Sequence, residues 1–359
     1  MNWISNIIRP KIRSFVQQKE VPDNLWQKCP SCEGMLFHRD LDQNLNVCYH
    51  CGHHMKIGIV RRMGLLFDEG KFEELPLPPV PHDPLKFKDR KRYTDRLRDS
   101  QSKTGRSEAI IIAKGTIGGN SVVAAGFDFS FMGGSMGSAV GEAIVSAAEA
   151  AVRSKSALMV IPASGGARMQ EGIISLAQMP RTVIAVNTVK EKGLPYLVLM
   201  TDPTTGGVSA SFAMVGDIHI AEPGAMVGFA GKRVIEETIR EKLPEGFQTA
   251  EYLLEHGMID MVVPRGELAG KISLILDILM CRKRDVGGDN SRKNKNGSGN
   301  GNSGGRQKTE EKSARPVARK SGSATSLDSN RKKERSHHSP ANTNLSPSEP
   351  ENRKAGAGK

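Results

Sequence analysis

Four of the chain's five cysteines fall in two pairs, Cys29-x2-Cys32 and Cys48-x2-Cys51, with fifteen residues between the pairs. Each pair can curl two thiolates onto one metal through a tight turn. The intervening residues are expected to form a hairpin that brings the pairs together. Four thiolates fill a tetrahedron and leave no open position, so the spacing predicts a structural rather than a catalytic zinc. A redox dithiol is a single CxxC near a βαβ pattern, and iron–sulfur sites carry denser cysteine runs. Both are set aside. His50, His53 and His54 are expected outside the ligand set, and Cys281 is expected to be a buried or incidental thiol.

A second chemistry lies in glycine pairs at strand-to-helix turns. One follows the apolar strand 157–161 as Ser164, Gly165, Gly166, Ala167 and Arg168. The other follows the strand 196–200 as Thr204, Thr205, Gly206, Gly207 and Val208. Without side chains to shield them, main-chain N–H groups there can face a ligand and stabilise a developing oxyanion. The plainer reading is that such glycines permit positive φ or tight packing. A third turn, FMGGSMG at 131–137, also precedes a helix. It matches neither a dinucleotide-binding turn nor a P-loop. Ser164 and Ser211 sit beside glycines, yet no G-x-S-x-G elbow is present. His219 and His256 form no recognisable triad pattern, so Ser164 is expected to cap or turn the chain rather than attack a substrate.

These groups need a scaffold. The 359 residues allow one large domain or two to three smaller ones. Lys+Arg 51 against Asp+Glu 39 gives a net charge of +12, but residues 282–359 hold Lys+Arg 19 and Asp+Glu 8, or +11. The first 281 residues carry only +1, so the basic character belongs to the tail. That tail has no Phe, Trp or Tyr and ten glycines, a composition that predicts disorder. No run of eighteen apolar residues exists, and the N-terminus lacks a signal-peptide pattern. A cytoplasmic protein with no membrane span is expected.

The expected divisions are an amphipathic arm (1–25), a zinc ribbon (26–56), a connector (57–106), an α/β core (107–281) and the tail (282–359). The arm carries Trp3, Ile4, Ile7, Ile8, Ile12 and Phe15 at helical spacing, interrupted by Pro10. The connector is Pro-punctuated, with one helix expected over 89–101 and its charges on a solvated face. In the core, runs 109–116 and 121–129 flank Gly118, Gly119 and Asn120, a hairpin signal. Beyond them strands alternate with helices, which argues for helices covering a sheet. Zinc ribbons often bind nucleic acid. Here Glu33, Asp40 and Asp42 against Arg39 make a poor phosphate footprint, so a packing or lid role is favoured. Non-specific nucleic-acid binding by ribbon or tail is the lesser alternative.

Longer segments carry a resemblance. SGGARMQEG at 164–172, FMGGSMG at 131–137, DPTTGGVSAS at 202–211, AEPGAMVGFAG at 221–231, RVIEETIR at 233–240 and KLPEGF at 242–247 resemble the bacterial acetyl-CoA carboxylase carboxyltransferase β-subunit family. The four-cysteine ribbon ahead of the core fits too, and the resemblance covers about residues 20–282. It implies a crotonase-like spiral of ββα units. It implies carboxyl transfer from carboxybiotin to acetyl-CoA, giving malonyl-CoA, the first committed step of fatty-acid synthesis. Carried over, Gly166 and Ala167 would hold the acetyl-CoA enolate, and Gly206 and Gly207 would be further oxyanion donors. Gly133, Gly134, Gly165 and Arg168 would contact coenzyme A.

The resemblance also implies partners. An α subunit would supply the other half of the active site, as two α plus two β. A biotin carboxyl carrier protein and a biotin carboxylase would complete the system. No Ala-Met-Lys-Met biotin-attachment sequence or ATP signature is present, so that chemistry is expected on those partners. A hydratase sharing the fold is the rival enzyme. It would need carboxylates such as Glu142 and Glu171 facing the thioester, though both sit at helix starts.

Overall fold

The computed structural model describes residues 25–281. The expected arm, apart from its last residue, and the tail lie outside the described residues. Residues 25–281 fall within a single unit, Met1–Gly288.

The ribbon opens with β1 (Trp26–Lys28) and β2 (Met35–Phe37), paired antiparallel with Trp26 opposite Phe37. A short helix, α1 (His38–Gln43), follows. The hairpin therefore straddles the first cysteine pair. The stretch between the pairs is strand plus helix, not the hairpin expected from sequence. This arrangement drives Leu36 and Leu41 inward, where they bury with Cys29, Cys48 and Met55 as a small separate core.

The connector is more structured than its composition suggests. It contains α2 (Ile59–Leu66), β3 (Phe72–Leu75) and α3 (Tyr93–Thr104). Gly105, in the left-handed region, ends α3. From there the chain runs as β4 (Ile110–Ile117), β5 (Asn120–Phe127), α4 (Ser138–Ser154), β6 (Ala157–Ile161), α5 (Gly172–Glu191) and β7 (Tyr196–Met200). It continues through β8 (Thr204–Thr205), β9 (Ile218–Ala221), β10 (Val227–Gly228), α6 (Lys232–Ile239), α7 (Ala250–Glu255), β11 (Met261–Val262) and α8 (Leu268–Leu279).

Seven strands form the main sheet in the order β11-β9-β7-β6-β5-β4-β3. β3, β4 and β5 run antiparallel, and the pairs from β5 to β11 are parallel. Strand alternation sorts the apolar residues into two layers. Ile110, Ile112, Val123, Leu158, Val160 and Val198 face α4 and α5. Ile111, Val122, Met159, Leu197 and Leu199 face α2 and α8. The sheet is thus covered on both faces, as a mostly parallel sheet must be.

A second, much shorter ladder positions the site. β8 pairs parallel with β10, Ser164 bridges Thr204, and Met136 bridges Ala167. Each of β5, β6, β7 and β9 thus leads into a short extended piece of this ladder and then a helical segment. That repeated strand, short strand and helix is the ββα spiral expected from sequence.

Candidate active site and metal centre

In the ribbon, each CxxC closes on itself. Glu33 N–H donates to the Cys29 carbonyl at 3.0 Å, and Gly52 N–H donates to the Cys48 carbonyl at 2.8 Å. The four sulfurs lie within 4.8 Å of one another, with Cys29–Cys51 and Cys32–Cys48 separations of 3.8 Å. A tetrahedron with zinc–sulfur bonds of ~2.3 Å has edges of ~3.8 Å, so the four thiolates fit zinc without rearrangement. Such a site is closed and cross-links the ribbon.

The ribbon is bolted to the core through arginines. Arg61 binds Asp42 and Asn46 at 2.6 Å each. Glu222, just past β9, accepts from Arg62 at 2.7 and 3.0 Å and from Arg265 at 2.7 and 2.8 Å. Arg265 also donates to the ribbon carbonyls of Leu45 and Asn46. Burial alone would raise the Glu222 carboxyl, but the two guanidinium groups hold it at about 2.

The two glycine turns meet face to face. Thr205 N–H donates to the Ser164 carbonyl at 3.0 Å, and Ser164 N–H donates to Pro203 at 2.6 Å. Gly166 and Gly206 have φ of +114° and +63°. A Cβ on Gly206 would lie 3.0 Å from the Gly166 Cα, so both close approach and backbone conformation require glycine here. A Cβ on Gly207 would lie 3.5 Å from that of Ala167, which places the two turns side by side.

Their amides are not all free, and this corrects the sequence expectation. Gly166 N–H donates to Ser164 Oγ at 3.0 Å, and Gly206 N–H donates to the Phe229 carbonyl at 2.9 Å. Ala167 N–H and Gly207 N–H have no acceptor among the described residues. Ladder geometry explains the first. Met136 N–H donates to Gly166 O, and Arg168 N–H donates to Met136 O, so Ala167 between them turns its own N–H away. Helix geometry explains the second. Ala210 N–H donates to Gly206 O, and the amides that begin such a turn lack an acceptor four residues back. Val208 N–H is left open in the same way, a candidate donor that sequence reading missed. Its signal was its place one residue past the glycine pair.

A cleft of about 560 Å³ lies against the first turn, lined by Gly133, Gly165 and Ala167 and by residues of and around α3. Gly165 N–H donates to Gly133 O at 3.0 Å, which joins the third glycine turn to the first. Lys91, Arg96 and Phe129 also line it, residues the sequence left in a solvated connector or a strand end. Lys56, next to the ribbon, stacks its ammonium 3.8 Å over the Phe129 ring. The one carboxylate in the lining, Asp99, is paired with Lys91.

Two residues expected against coenzyme A do not reach the cleft. Gly134 is a packing residue, because a Cβ there would lie 1.9 Å from the Ala163 carbonyl oxygen. The Arg168 side chain is fully buried, held by Glu108, Tyr93 and Ser135. A guanidinium survives inside a protein only when paired, and pairing is what removes it from ligand contact.

Other candidate acids and bases are engaged elsewhere. Glu171 accepts from Tyr93 Oη and from Ser138 N and Oγ, all at 2.6 Å. Burial would raise its carboxyl, but those bonds hold it below the usual carboxylate range. Glu142 pairs with Arg181 at 2.6 Å. His219 Nε2 accepts from Gly216 N–H at 3.1 Å, and burial lowers its pKa, so it is a neutral acceptor. His256 stacks on Tyr252 with 4.0 Å between ring centroids. The cleft thus offers fixed N–H dipoles and no free carboxylate or imidazole.

Known proteins match this architecture. Residues 81–283 match the carboxyl transferase domain, and residues 26–51 match the acetyl-CoA carboxylase zinc finger domain. The chain is 59% identical over 280 residues to the acetyl-coenzyme A carboxylase carboxyl transferase subunit beta of Sinorhizobium fredii, covering 78% of this chain and 92% of that one. This chain belongs to the acetyl-CoA carboxylase carboxyl transferase subunit beta family. Its relative from Allorhizobium ampelinum is 56% identical over 293 residues, covering 82% and 96%. Among solved structures, transcarboxylase 12S with hydrolyzed methylmalonyl-coenzyme A bound superposes with a TM-score of 0.52 at 25% identity. That match covers 67% of this chain and 43% of the transcarboxylase, so the chain spans under half of that protein. A single-chain, multi-domain long-chain acyl-CoA carboxylase shares the fold, with a TM-score of 0.50 at 16% identity. As a member of the family, the chain is a carboxyltransferase component with a structural zinc ribbon.

Proposed function

We propose that this chain forms the acetyl-CoA half of a carboxyltransferase, which moves a carboxyl group from carboxybiotin to acetyl-CoA and yields malonyl-CoA. The observation that carries the reading is the pair of adjacent open amides, Ala167 N–H and Gly207 N–H, at turns with no free acid or base. Carboxylating the acetyl methyl requires an enolate, whose charge collects on the thioester oxygen and whose methyl proton would pass to the biotin nitrogen freed when carboxybiotin gives up CO2. Fixed N–H dipoles aimed there lower that barrier without a side-chain base, at ~3 kcal/mol per donor. In this reading Ala167 holds the enolate oxygen, and Gly207, with Val208 beside it, supplies the neighbouring donor. Gly166 and Gly206 shape the turns, and Gly133 and Gly165 line the coenzyme A side. A hydratase would need carboxylates at the thioester, and Glu142 and Glu171 are both committed to other partners.

The reading needs an α subunit. α5 leaves Ile173, Leu176 and Ile184 exposed, and Phe229 and Val234 stand exposed beside β10. Ile184 also lines an apolar groove of about 460 Å³ between α4 and α5. We assign this surface to the α subunit, in an assembly of two α and two β. Biotin arrives on its carrier protein, charged by biotin carboxylase. No described helix is long and apolar enough to cross a membrane, and the family's reaction suits the cytoplasm.

Deleting single amides tests the assignment. Ala167→Pro and Gly207→Pro each remove one N–H. In the complex with the α subunit, each should cut kcat for malonyl-CoA formation by about a hundredfold or more. Unchanged kcat in both folded variants, or hydration of crotonyl-CoA by this chain, would sink the reading.

A further inference from the structure

Behind the first glycine turn lies a buried ionic network that the reaction itself does not use. Arg168, Glu108, Glu171 and Tyr93 are all buried. All five N–H donors of the Arg168 guanidinium are matched. Nε donates to Ser135 Oγ at 3.1 Å, and Nη1 donates to Tyr93 Oη at 3.0 Å and Glu108 Oε2 at 3.1 Å. Nη2 donates to Glu108 Oε1 and to the Ser135 carbonyl. Tyr93 Oη donates a hydrogen bond to Glu171, which in turn caps the first amide of α4 at Ser138. One hydroxyl on α3 therefore joins the turn before α5, the turn before α4 and the edge of β4.

The geometry around Ala167 gives this network a consequence. Arg168 is the residue after Ala167, and Ser135 is the residue before Met136, whose ladder bonds flank Ala167. Fixing Arg168 to Ser135 at two points fixes the bridge that turns the Ala167 N–H outward. We propose that Tyr93 and Glu108 are positioning residues for the reaction: by locking Arg168 onto Ser135 they aim the Ala167 amide into the cleft. Tyr93 lies in the connector, so the segment between ribbon and core has a part in the chemistry as well as in the linkage. A donor misaimed by a fraction of an ångström loses transition-state stabilisation while leaving ground-state binding largely intact.

The inference rests on the proposed role of Ala167, and its test separates the two. Tyr93→Phe keeps the ring and removes only the hydroxyl, and Glu108→Gln keeps the shape and removes the charge. Both variants are prepared as the full chain in complex with the α subunit. We expect kcat for malonyl-CoA formation to fall about tenfold, with KM for acetyl-CoA within about twofold. The Ala167 amide resonance, followed with [15N]alanine labelling, should shift or broaden while zinc content and complex assembly stay at wild-type levels. Folded variants with wild-type kcat, or with lowered kcat and an unmoved Ala167 resonance, would overturn the positioning role. If the wild-type complex carboxylates no acetyl-CoA, the proposed function fails. The Ala167 resonance then still decides whether Tyr93 and Glu108 hold that amide.

Discussion

The turns at Ser164–Arg168 and Thr204–Ser209 carry the same device, a glycine pair that leaves amide donors open, but they are held by different forces. The first is clamped by charge, through Arg168, Glu108 and Glu171. The second is held by neutral hydroxyls. Thr204 Oγ1 donates to Thr201 O at 2.9 Å, Thr205 Oγ1 to Ser164 O at 3.0 Å, and Ser209 Oγ to Gly228 O at 2.8 Å. A hydroxyl bond to a carbonyl contributes modestly and can be lost alone. A buried charge cannot be removed without stranding its partner. Similar motifs therefore need not have similar tolerance to substitution.

The largest effect should come from breaking the charged side. Arg168→Met keeps bulk but leaves Glu108 and Glu171 without their cation. It should cost about 3–5 kcal/mol of stability, read from urea denaturation. A loss below about 1 kcal/mol would erase the distinction between the turns.

Acid should separate them next. The folded Glu171 carboxyl lies below its ordinary value of 4.5, so its contribution is complete above that value and is lost as pH falls beneath it. Corrected for the intrinsic rate, protection of the Arg168 amide should fall as pH drops below the ordinary glutamate range, while protection of the bonded amides of Thr205 and Gly206 follows only global unfolding. The Glu222 clamp behaves in the same direction over a wider window. Its contribution, on the order of 3 kcal/mol, shrinks below pH 4.5 and is gone near its folded value of about 2. Equal loss of protection in both turns would remove the contrast.

The smallest effect belongs to the neutral side. Thr205→Val removes one hydroxyl bond and should cost about 1 kcal/mol by the same denaturation measurement. A cost matching that of Arg168→Met would show the second turn to be as tightly keyed as the first.

Much of this arrangement is legible in the chain because its signals are local. The strands at 157–161 and 196–200 follow from apolar runs, and the structure places them at those bounds. The cysteine pairs and glycine turns announce themselves by spacing. What escaped is what depends on distant partners. Whether Gly206 offers its amide is decided by Phe229, and whether Arg168 faces a ligand is decided by Glu108 and Tyr93, 60 and 75 residues away. An arginine in a glycine-rich loop reads as exposed, and only tertiary structure can bury it. β3 and α2 were missed because proline punctuation and short length hid the apolar positions that α2 and the sheet bury.

Arg265 divides its guanidinium between the Glu222 carboxylate and two carbonyls of the metal-bearing module. Anyone seeking a minimal catalytic fragment by trimming the chain ahead of α2 would take away those carbonyls and unmask a cation built to be shielded. The metal-bearing module is therefore a keystone of the scaffold rather than a detachable accessory, and the shortest working enzyme should begin upstream of its first cysteine.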